Sequence, residues 1–371
     1  MKSVMNLATR SIVYVSLTAG LLSVAGLPSM LMAQSGDNSA DQVESQAREA
    51  WSQTMHDIAA PEEGCYHASY PSTQWEKVEC AAPPAYRSAL PQIRDREQTL
   101  GNGSDYVAQV APGHTISAAA GSFLKVKGVT SEQSVGVALF GGGGILGPNE
   151  YTLQINTNFA HTAACGRYSG CQAWQQYVVS TNTPVSLTSG ELTGKTEVFI
   201  EYWLLNYGVD TGENICPKGF IDAGPDSNGP GDDCVQNTPA VVVYDGQLPI
   251  TDLGGLRFSG SVAAKGTDKA TATYGTEAYT ATVADSKTDI SSGWTQAEFN
   301  VVGNAGGSEA EFNKGVSLTA KLAITDGSQT APTCILPSSV AGTTGETNNL
   351  IGQSCTGNSG PTPYIEFVET N

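Results

Sequence analysis

The stretch YTLQINTNF, Tyr151 to Phe159, alternates its side chains with the period of a β-strand. Tyr151, Leu153, Ile155 and Thr157 lie on one side, and Thr152, Gln154, Asn156 and Asn158 lie on the other. A strand facing water usually carries charge there, yet this one offers only uncharged hydrogen-bonding groups. The side-chain amides of Gln154, Asn156 and Asn158 are therefore solvated, bind a ligand or take part in catalysis. The rest of the sequence must decide between these alternatives.

Short runs of this kind continue from about residue 104 to the end of the chain. They are rich in Val, Thr, Tyr and Phe and are separated by Gly, Asn, Asp and Ser turns. No helical pattern lies between them, as a parallel α/β sheet requires. The sequence predicts an all-β fold, an antiparallel β-sandwich of concanavalin or jelly-roll type, over residues 104–371.

The first 33 residues read as an export signal. Lys2 and Arg10 precede a long apolar run, which Pro28 interrupts before the small residue Ala33. We expect cleavage after Ala33 and a secreted protein, extracellular or periplasmic. The length of the run leaves an uncleaved membrane anchor as the alternative.

Residues 34–103 differ in character from the rest. Val43, Ala47, Trp51, Met55 and Ile58 recur at helical spacing, and an aromatic loop between Cys65 and Cys80 follows them. This segment is a propeptide, a small N-terminal module, or a helix that simply packs on the main domain.

The charge balance is strongly acidic. The formal net charge is −18, and loss of the two basic residues of the leader takes it to −20. Such a charge repels nucleic acid and anionic lipid, so neither is expected as a partner after signal cleavage. It also suits a protein that works in acid solution.

All eight cysteines lie beyond the leader and form four close pairs in sequence. An even number in an exported chain indicates a disulfide framework, although eight cysteines allow 105 connectivities. We predict pairing of neighbours: Cys65–Cys80, Cys165–Cys171, Cys216–Cys234 and Cys334–Cys355. No C-x-x-C is present and the histidines do not cluster with thiols, so no metal site is expected at the cysteines.

Other predicted strands also place aromatic and polar side chains on one face. Trp174 lies beside Gln176, and Glu201 lies beside Trp203. In a third strand one face carries Trp294, Gln296, Glu298 and Asn300. If these strands are neighbours they form a polar groove with aromatic walls; the alternative is a solvated outer face.

A glutamine and a glutamate suffice to hydrolyse an amide without metal, serine or cysteine. The carboxylate takes a proton from water and later gives it to the leaving nitrogen. The carboxamide stabilises the oxyanion of the tetrahedral intermediate. An ordinary glutamate changes its protonation in acid, which sets the working pH.

The motifs resemble those of the glutamic peptidases, the eqolisin family. Leu153-Gln154 is similar to the motif of the catalytic glutamine, Ala297-Glu298-Phe299 to that of the catalytic glutamate, and Trp174–Val179 to an aromatic segment between them. The resemblance implies a β-sandwich endopeptidase, secreted as a preproprotein, that cuts polypeptide in acid without a cofactor. It assigns catalysis to Gln154 and Glu298. The residues then expected to bind substrate are Asn156, Trp174, Gln176, Glu201, Trp203 and Gln296.

The chain departs from that family at several places. Ile155 and Asn156 stand where the family has a glycine, Phe299 replaces a tryptophan, and the stretch around Cys216 and Cys234 is an insertion. The chain also resembles uncharacterised secreted bacterial β-sandwich proteins, a likeness that implies no activity. The alternative function is therefore a non-catalytic binding module, lectin-like, whose amides and tryptophans hold a glycan; a structural surface protein is a third possibility.

The segment DAGPDSNGPGDDC, Asp222 to Cys234, is rich in oxygen ligands. Asp226, Asn228, Asp232 and Asp233 have the chemistry to hold Ca²⁺, but the glycine and proline positions do not fit an EF-hand. An acidic turn closed by a disulfide is the favoured interpretation, with calcium binding as the alternative.

Overall fold

A computed structural model describes residues 35–85, 105–137, 142–186, 190–226, 229–336 and 345–371. The export signal predicted over residues 1–33 lies outside these ranges, as do Asn228 and residues 86–104.

A helix and a series of short strands make up the described chain. The helix is α1 (Ser35–Asp57). The strands are β1 (Gly64–Ser69), β2 (Glu76–Val78), β3 (Val107–Gln109), β4 (Ala118–Lys127), β5 (Glu132–Gly136), β6 (Gly147–Pro148), β7 (Tyr151–Thr157), β8 (Gln172–Ser180), β9 (Thr196–Tyr207), β10 (Ile221–Pro225), β11 (Asp232–Asn237), β12 (Val241–Tyr244), β13 (Leu256–Ser261), β14 (Thr267–Tyr274), β15 (Glu277–Ala284), β16 (Gln296–Gly303), β17 (Ser308–Phe312), β18 (Ser317–Thr325), β19 (Thr333–Ile335), β20 (Thr347–Asn348), β21 (Ile351–Asn358) and β22 (Tyr364–Thr370). Single 3₁₀ turns span Ala163–Cys165, Ile250–Gly255, Asp285–Lys287 and Ile290–Ser292.

Within the described residues these strands form two nine-stranded sheets and a small one. The first has the order β2-β1-β15-β14-β13-β4-β18-β22-β21. The second has the order β10-β11-β9-β8-β7-β16-β3-β19, with β12 paired to β9. β20, β17, β5 and β6 form the third, in which only the short β17–β20 pair is parallel. The predicted all-β antiparallel sandwich is confirmed.

The core fills the space between the two large sheets. The apolar side of β7 and β16, including Ile155 and Phe299, belongs to it. Phe299 packs on Phe123 of the facing sheet, with ring centroids 5.2 Å apart. It also lies over Gly121, where an added Cβ would come within 2.2 Å of the ring. Small residues on one sheet thus admit the aromatic rings of the other.

The N-terminal segment contributes to the first sheet. β1 pairs with β15 over the whole of Gly64–Ser69. Trp51 and Met55 of α1 are buried beside Ala68 and Ala278, as the helical spacing predicts. Val43 is an exception, because its side chain is 66 % exposed. The second half of the helix is therefore the part whose apolar side is buried.

Four disulfides join the predicted partners: Cys65–Cys80, Cys165–Cys171, Cys216–Cys234 and Cys334–Cys355. The neighbour pairing is confirmed. Such a framework indicates an oxidising, extracellular type of environment. Among the helices of the described ranges, none has the length and apolar character to cross a bilayer.

Candidate active site

Register in the second sheet brings the predicted polar residues together. Asn156 on β7 lies opposite Glu298 on β16 and, on its other side, opposite Gln176 on β8. Gln176 in turn faces Glu201 on β9. We call these residues, with Gln154, the polar face: Gln154, Asn156, Gln176, Glu201 and Glu298. Their neighbours along each strand, such as Ile155 and Phe299, lie in the core, so the polar face is on the opposite side of these strands.

Asn156 connects the two residues predicted to be catalytic. Its Nδ2 donates to Glu298 Oε2 at 2.8 Å and to Gln154 Oε1 at 3.2 Å. Gln154 lies opposite Asn300 and so stands diagonally to Glu298 on the neighbouring strand. Side chains of this length reach each other across such a diagonal. The structure therefore brings Gln154 and Glu298 onto one face, around one shared amide.

The carboxamide of Gln154 is held in a fixed orientation. Its Oε1 also accepts a hydrogen bond from Gln176 Nε2 at 3.3 Å, and its Nε2 donates to Thr152 Oγ1 at 3.0 Å. One Nε2 hydrogen is thus used, and the second is left for another acceptor. Gln154 is 1 % exposed, so this network is shielded from water.

Glu298 is a buried carboxyl, 2 % exposed. Burial raises its pKa above the ordinary value, and the hydrogen bond from Asn156 opposes that rise by stabilising the anion. The net shift is upward, so Glu298 loses its proton at a higher pH than an exposed glutamate does.

Aromatic side chains stand beside the polar face. Trp174 on β8 lies opposite Trp203 on β9, with ring centroids 6.4 Å apart, and Phe159 packs against Trp174 at 5.3 Å. Trp203 Nε1 donates to Glu201 Oε1 at 2.9 Å, which ties the aromatic cluster to the polar face. The predicted proximity of Trp174, Gln176, Glu201 and Trp203 is present.

Trp294 does not belong to this surface. The alternation of the sequence predicts that Trp294 shares a strand face with Glu298, but β16 begins only at Gln296. Trp294 instead stacks on Tyr177 in the core at 5.8 Å, and its Nε1 donates to the carbonyl of Gln296. That prediction is wrong, because the alternation ends where the strand does.

Gln296 lies at the start of β16, beyond the centre of the polar face. Its Nε2 donates to Gln109 Oε1 at 2.6 Å, on the neighbouring β3. Its backbone N–H donates to Asn158 Oδ1 at 3.0 Å. Gln296 and Asn158 therefore fix the end of the strand that carries Glu298.

Three amide and indole atoms on or beside the polar face are buried without a hydrogen-bond partner among the described residues. They are Asn156 Oδ1, Trp174 Nε1 and Gln176 Oε1. An unpaired buried group of this kind costs about 1–3 kcal/mol unless water or a ligand satisfies it. Two hydrogen-bond acceptors and one donor on this face are therefore unpaired and can bind a polar ligand.

Sequence reasoning missed two carboxyls that adjoin Glu298. Asp105 stands just before β3 and Glu369 lies on β22 of the first sheet, and both are buried. Asn300 Nδ2 donates to Asp105 Oδ1 and to Glu369 Oε1, the latter at 3.1 Å. Asp105 lies in the turn-rich stretch DREQTLGNGSDY, Asp95 to Tyr106, which indicates a linker, and no local pattern relates Glu369 to β16.

The acidic segment after Asp222 shows turn geometry. Asp222 Oδ1 accepts the N–H of Gly224 at 2.8 Å, and Asp233 Oδ1 accepts that of Asn206 at 3.0 Å. Over the ranges that the structure describes, no three His, Cys, Asp or Glu side chains are grouped so as to hold a metal ion. Asn228, one of the four ligands considered for Ca²⁺, lies outside those ranges.

The motif residues divide between the two sides of the sheet. Gln154 and Glu298 lie on the polar face, whereas Leu153 and Phe299 lie in the core. Phe299, which stands where the resembled motif has a tryptophan, packs on Phe123 in the core and is not part of the polar face. No family model, no curated protein and no solved structure matches the chain.

Proposed function

We propose that the protein is an exported endopeptidase of the glutamic type, which hydrolyses polypeptide in acid solution. The observation that carries the proposal is the Asn156 amide, which donates to Gln154 Oε1 and to Glu298 Oε2 at once. It holds a carboxamide and a carboxyl on one face, at diagonal positions of two neighbouring strands.

Each residue has a defined part in the reaction. Glu298 removes a proton from a water molecule, and the resulting hydroxide attacks the peptide carbonyl carbon. The second Nε2 hydrogen of Gln154 stabilises the negative charge that develops on the carbonyl oxygen. Glu298 then gives its proton to the leaving nitrogen, and the two products separate.

The orphaned polar atoms supply the means to bind an extended peptide. Asn156 Oδ1 and Gln176 Oε1 accept hydrogen bonds, and Trp174 Nε1 donates one. A peptide backbone presents both N–H donors and carbonyl acceptors and satisfies all three. The adjoining Trp174 and Trp203 favour apolar side chains next to the cleaved bond.

Access to the site requires a change in the protein. Gln154 and Glu298 are 1 % and 2 % exposed, so a polypeptide reaches them only after the polar face is uncovered. The propeptide interpretation of residues 34–103 provides one way for this to happen. On that interpretation we expect activity to follow an acid-induced step that removes part of residues 34–103.

A specific observation also favours the binding-module alternative. Trp174 and Trp203 lie side by side next to amides with unpaired acceptors, an arrangement that suits sugar rings and hydroxyls. A glycan-binding protein does not require Glu298 to change protonation, whereas the peptidase does. This difference makes the two functions separable by experiment.

The test is cleavage of denatured casein measured from about pH 3 to about pH 6, around the ordinary glutamate pKa of about 4.3. Because burial raises the pKa of Glu298, we expect cleavage to require a less acid solution than an ordinary glutamate would. The purified protein is first incubated in acid, and its N-terminus is sequenced. We expect cleavage by the wild type, none by Glu298→Gln or Gln154→Ala, and full cleavage by Gln353→Ala, whose glutamine is exposed on β21. Cleavage that persists in Glu298→Gln contradicts the proposal; glycan-array binding without proteolysis supports the module instead.

A further inference from the structure

The chain before residue 86 takes part in both large sheets. We call residues 46–85 the N-terminal piece and residues 105–371 the body. β1 extends the first sheet, because it pairs with β15 over all six residues of Gly64–Ser69. Beyond β2 the chain reaches the second sheet beside β12, where Ala81 and Ala240 exchange both backbone hydrogen bonds, at 2.8 and 3.2 Å.

Helix α1 is hydrogen-bonded to the body through its last turn. His56 Nδ1 lies 2.6 Å from Ser259 Oγ of β13. Lys269 of β14 donates from Nζ to the carbonyls of His56 and Ile58, both at 2.7 Å. Lys269 is 5 % exposed, so its ammonium is a buried cation at the carbonyl end of the helix. Charge-assisted hydrogen bonds of this kind are strong, and they oppose separation of α1 from the first sheet.

Loss of the N-terminal piece would uncover apolar surface of the body at two places. Trp51 and Met55 pack with Ala278 of β15 on the first sheet, and Ala81 packs with Ala240 beside the second. Ala278 and Ala240 are both 0 % exposed. β15 would also become an open edge strand, whose unpaired N–H and C=O groups favour aggregation. The sheets of the body are therefore complete only with the N-terminal piece in place.

The N-terminal piece has little to stabilise it by itself. Its strands β1 and β2 share three residue pairs, next to the Cys65–Cys80 bond. A two-stranded hairpin is at best marginally stable in water. All eight cysteines of the chain are paired, and the other three disulfides lie within the body. The covalent link between the two parts is therefore the chain through residues 86–104, which lie outside the described ranges.

We propose that the N-terminal piece is a permanent part of the folded protein: when the chain is cut between residues 85 and 105, the piece stays bound to the body as a second chain. β1 supplies the edge of the first sheet, and Ala81 bonds beside the second. For activation the inference rests on the proposed peptidase function, and it confines the part that is lost to residues 86–104. The binding of the piece to the body does not depend on that function.

A full-length protein with one added cleavage site provides the direct test. An insertion of about 20 residues, rich in Gly and Ser and therefore flexible, carries the recognition sequence of a site-specific protease between positions 95 and 96. After cleavage we expect the two parts to elute together in size-exclusion chromatography, at pH 7 and at about pH 4, even after dilution to about 10 nM.

The two parts should separate in about 6 M guanidinium chloride without reductant, since no disulfide joins them. Elution of the N-terminal piece by itself in either native buffer overturns the proposal.

Lys269→Met tests the contact with the helix, because it removes the ammonium and keeps an apolar side chain. The body is immobilised through a C-terminal tag, and release of the N-terminal piece from the cut protein is followed in about 2 M urea. We expect release about tenfold faster than from the unsubstituted protein. Lys195→Met is the control, since Lys195 pairs with Asp245 at 3.2 Å, and it should leave the rate unchanged.

A release rate that Lys269→Met leaves unchanged contradicts the proposed interface. If that variant does not fold, the chromatography of the cut, unsubstituted protein decides the question.

Sequencing of N-termini in the acid-treated wild type separates this inference from the peptidase proposal. Where the chain is processed, we expect two N-termini in equal amounts, one from the start of the exported chain and one from within residues 86–105. A single new N-terminus, with the N-terminal piece lost, overturns the inference and supports a released propeptide. If the wild type cleaves no casein, the peptidase proposal fails, while the protein with the inserted site still decides whether the piece stays bound.

Discussion

Asn156 Nδ2 lies 2.8 Å from Glu298 Oε2, so an amide on β7 holds the carboxyl group of the strand beside it. The two residues are 142 positions apart in sequence and directly opposite each other in the sheet. Because both are buried, this bond is strong and its loss is costly.

Replacement of Asn156 by leucine tests that bond. Leucine has a similar volume but no donor, so the Glu298 anion loses stabilisation and its pKa rises. We expect stability at pH 7 to fall by about 2 kcal/mol, measured by urea unfolding. Asn358→Leu is the matched control, because the hydrogen bond of the Asn358 amide within the described residues goes to a carbonyl of its own edge strand β21. Equal stability of the two variants contradicts the prediction.

Glu369→Gln should make the protein more stable in alkali. Burial, followed by the charge of Glu298, raises the Glu369 pKa to about 8, so the folded state holds a proton that the unfolded state releases above pH 4.5. Its contribution is present in full below pH 4.5 and is lost as pH rises towards 8. The loss is on the order of a few kcal/mol. Unfolding from pH 5 to pH 9 should show a smaller decline for the glutamine variant than for the wild type.

His56 should lower the stability of the folded protein in acid, whereas Glu369 lowers it in alkali. Its Nδ1 lies 2.6 Å from Ser259 Oγ, and burial, with Lys269 and Arg257, lowers its pKa from 6.5 to about 3. The folded state therefore resists a proton that the unfolded state accepts, and stability falls as pH drops from 6.5 towards 3. The side chain is partly exposed, so we expect a loss of about 2 kcal/mol.

His56→Gln keeps a hydrogen-bonding side chain but cannot be protonated. Unfolding measured between pH 7 and pH 4 should show a flatter profile for this variant. His161→Gln serves as the control, because among the residues that the structure describes its ring hydrogen-bonds to the carbonyl of Cys171. A wild-type slope that His56→Gln leaves unchanged contradicts the assignment.

Gly121→Ala should damage the packing between the sheets. An added Cβ meets the ring of Phe299 at 2.2 Å, a contact that forces the ring or the strand to move. Overpacking of this kind costs about 1–3 kcal/mol, and it displaces the residue next to Glu298. Gly254→Ala is the control, since its Cβ lies 3.5 Å from Val126. Thermal unfolding of both variants checks the prediction. Equal losses of stability in the two variants would contradict it.

Loss of the Cys65–Cys80 bridge should release the N-terminal strands. The bond closes a 15-residue separation and joins β1 to the segment after β2. Its removal by Cys65→Ala and Cys80→Ala together should cost about 3 kcal/mol. Hydrogen exchange should rise first at Gly64–Ser69, and protection that remains as high as in the wild type contradicts the prediction.

Local patterns predicted much of the fold. Alternating side chains and turn residues predicted the β-sandwich, because strand faces follow directly from a period of two. Neighbouring cysteines predicted all four disulfides, because close positions along the chain are the cheapest to join. The same alternation put Gln154, Asn156 and Glu298 on polar faces, which the structure places on a single surface.

Where the sequence failed, contacts between distant segments were responsible. Trp294 follows the alternation in sequence but enters the core, because the strand starts after it. Asp105 and Glu369 reach Asn300 from a linker and from the opposite sheet, and neither position carries a local signal.

The sequence by itself determined which faces are polar, which cysteines pair and that the chain is built of antiparallel strands. Only the tertiary structure decided that Asn156 stands opposite Glu298 and that two further carboxyls surround the latter. The reason is physical: a strand's faces depend on its own residues, whereas its register depends on partners far away in sequence, and a slip of one residue would turn every side chain to the other face.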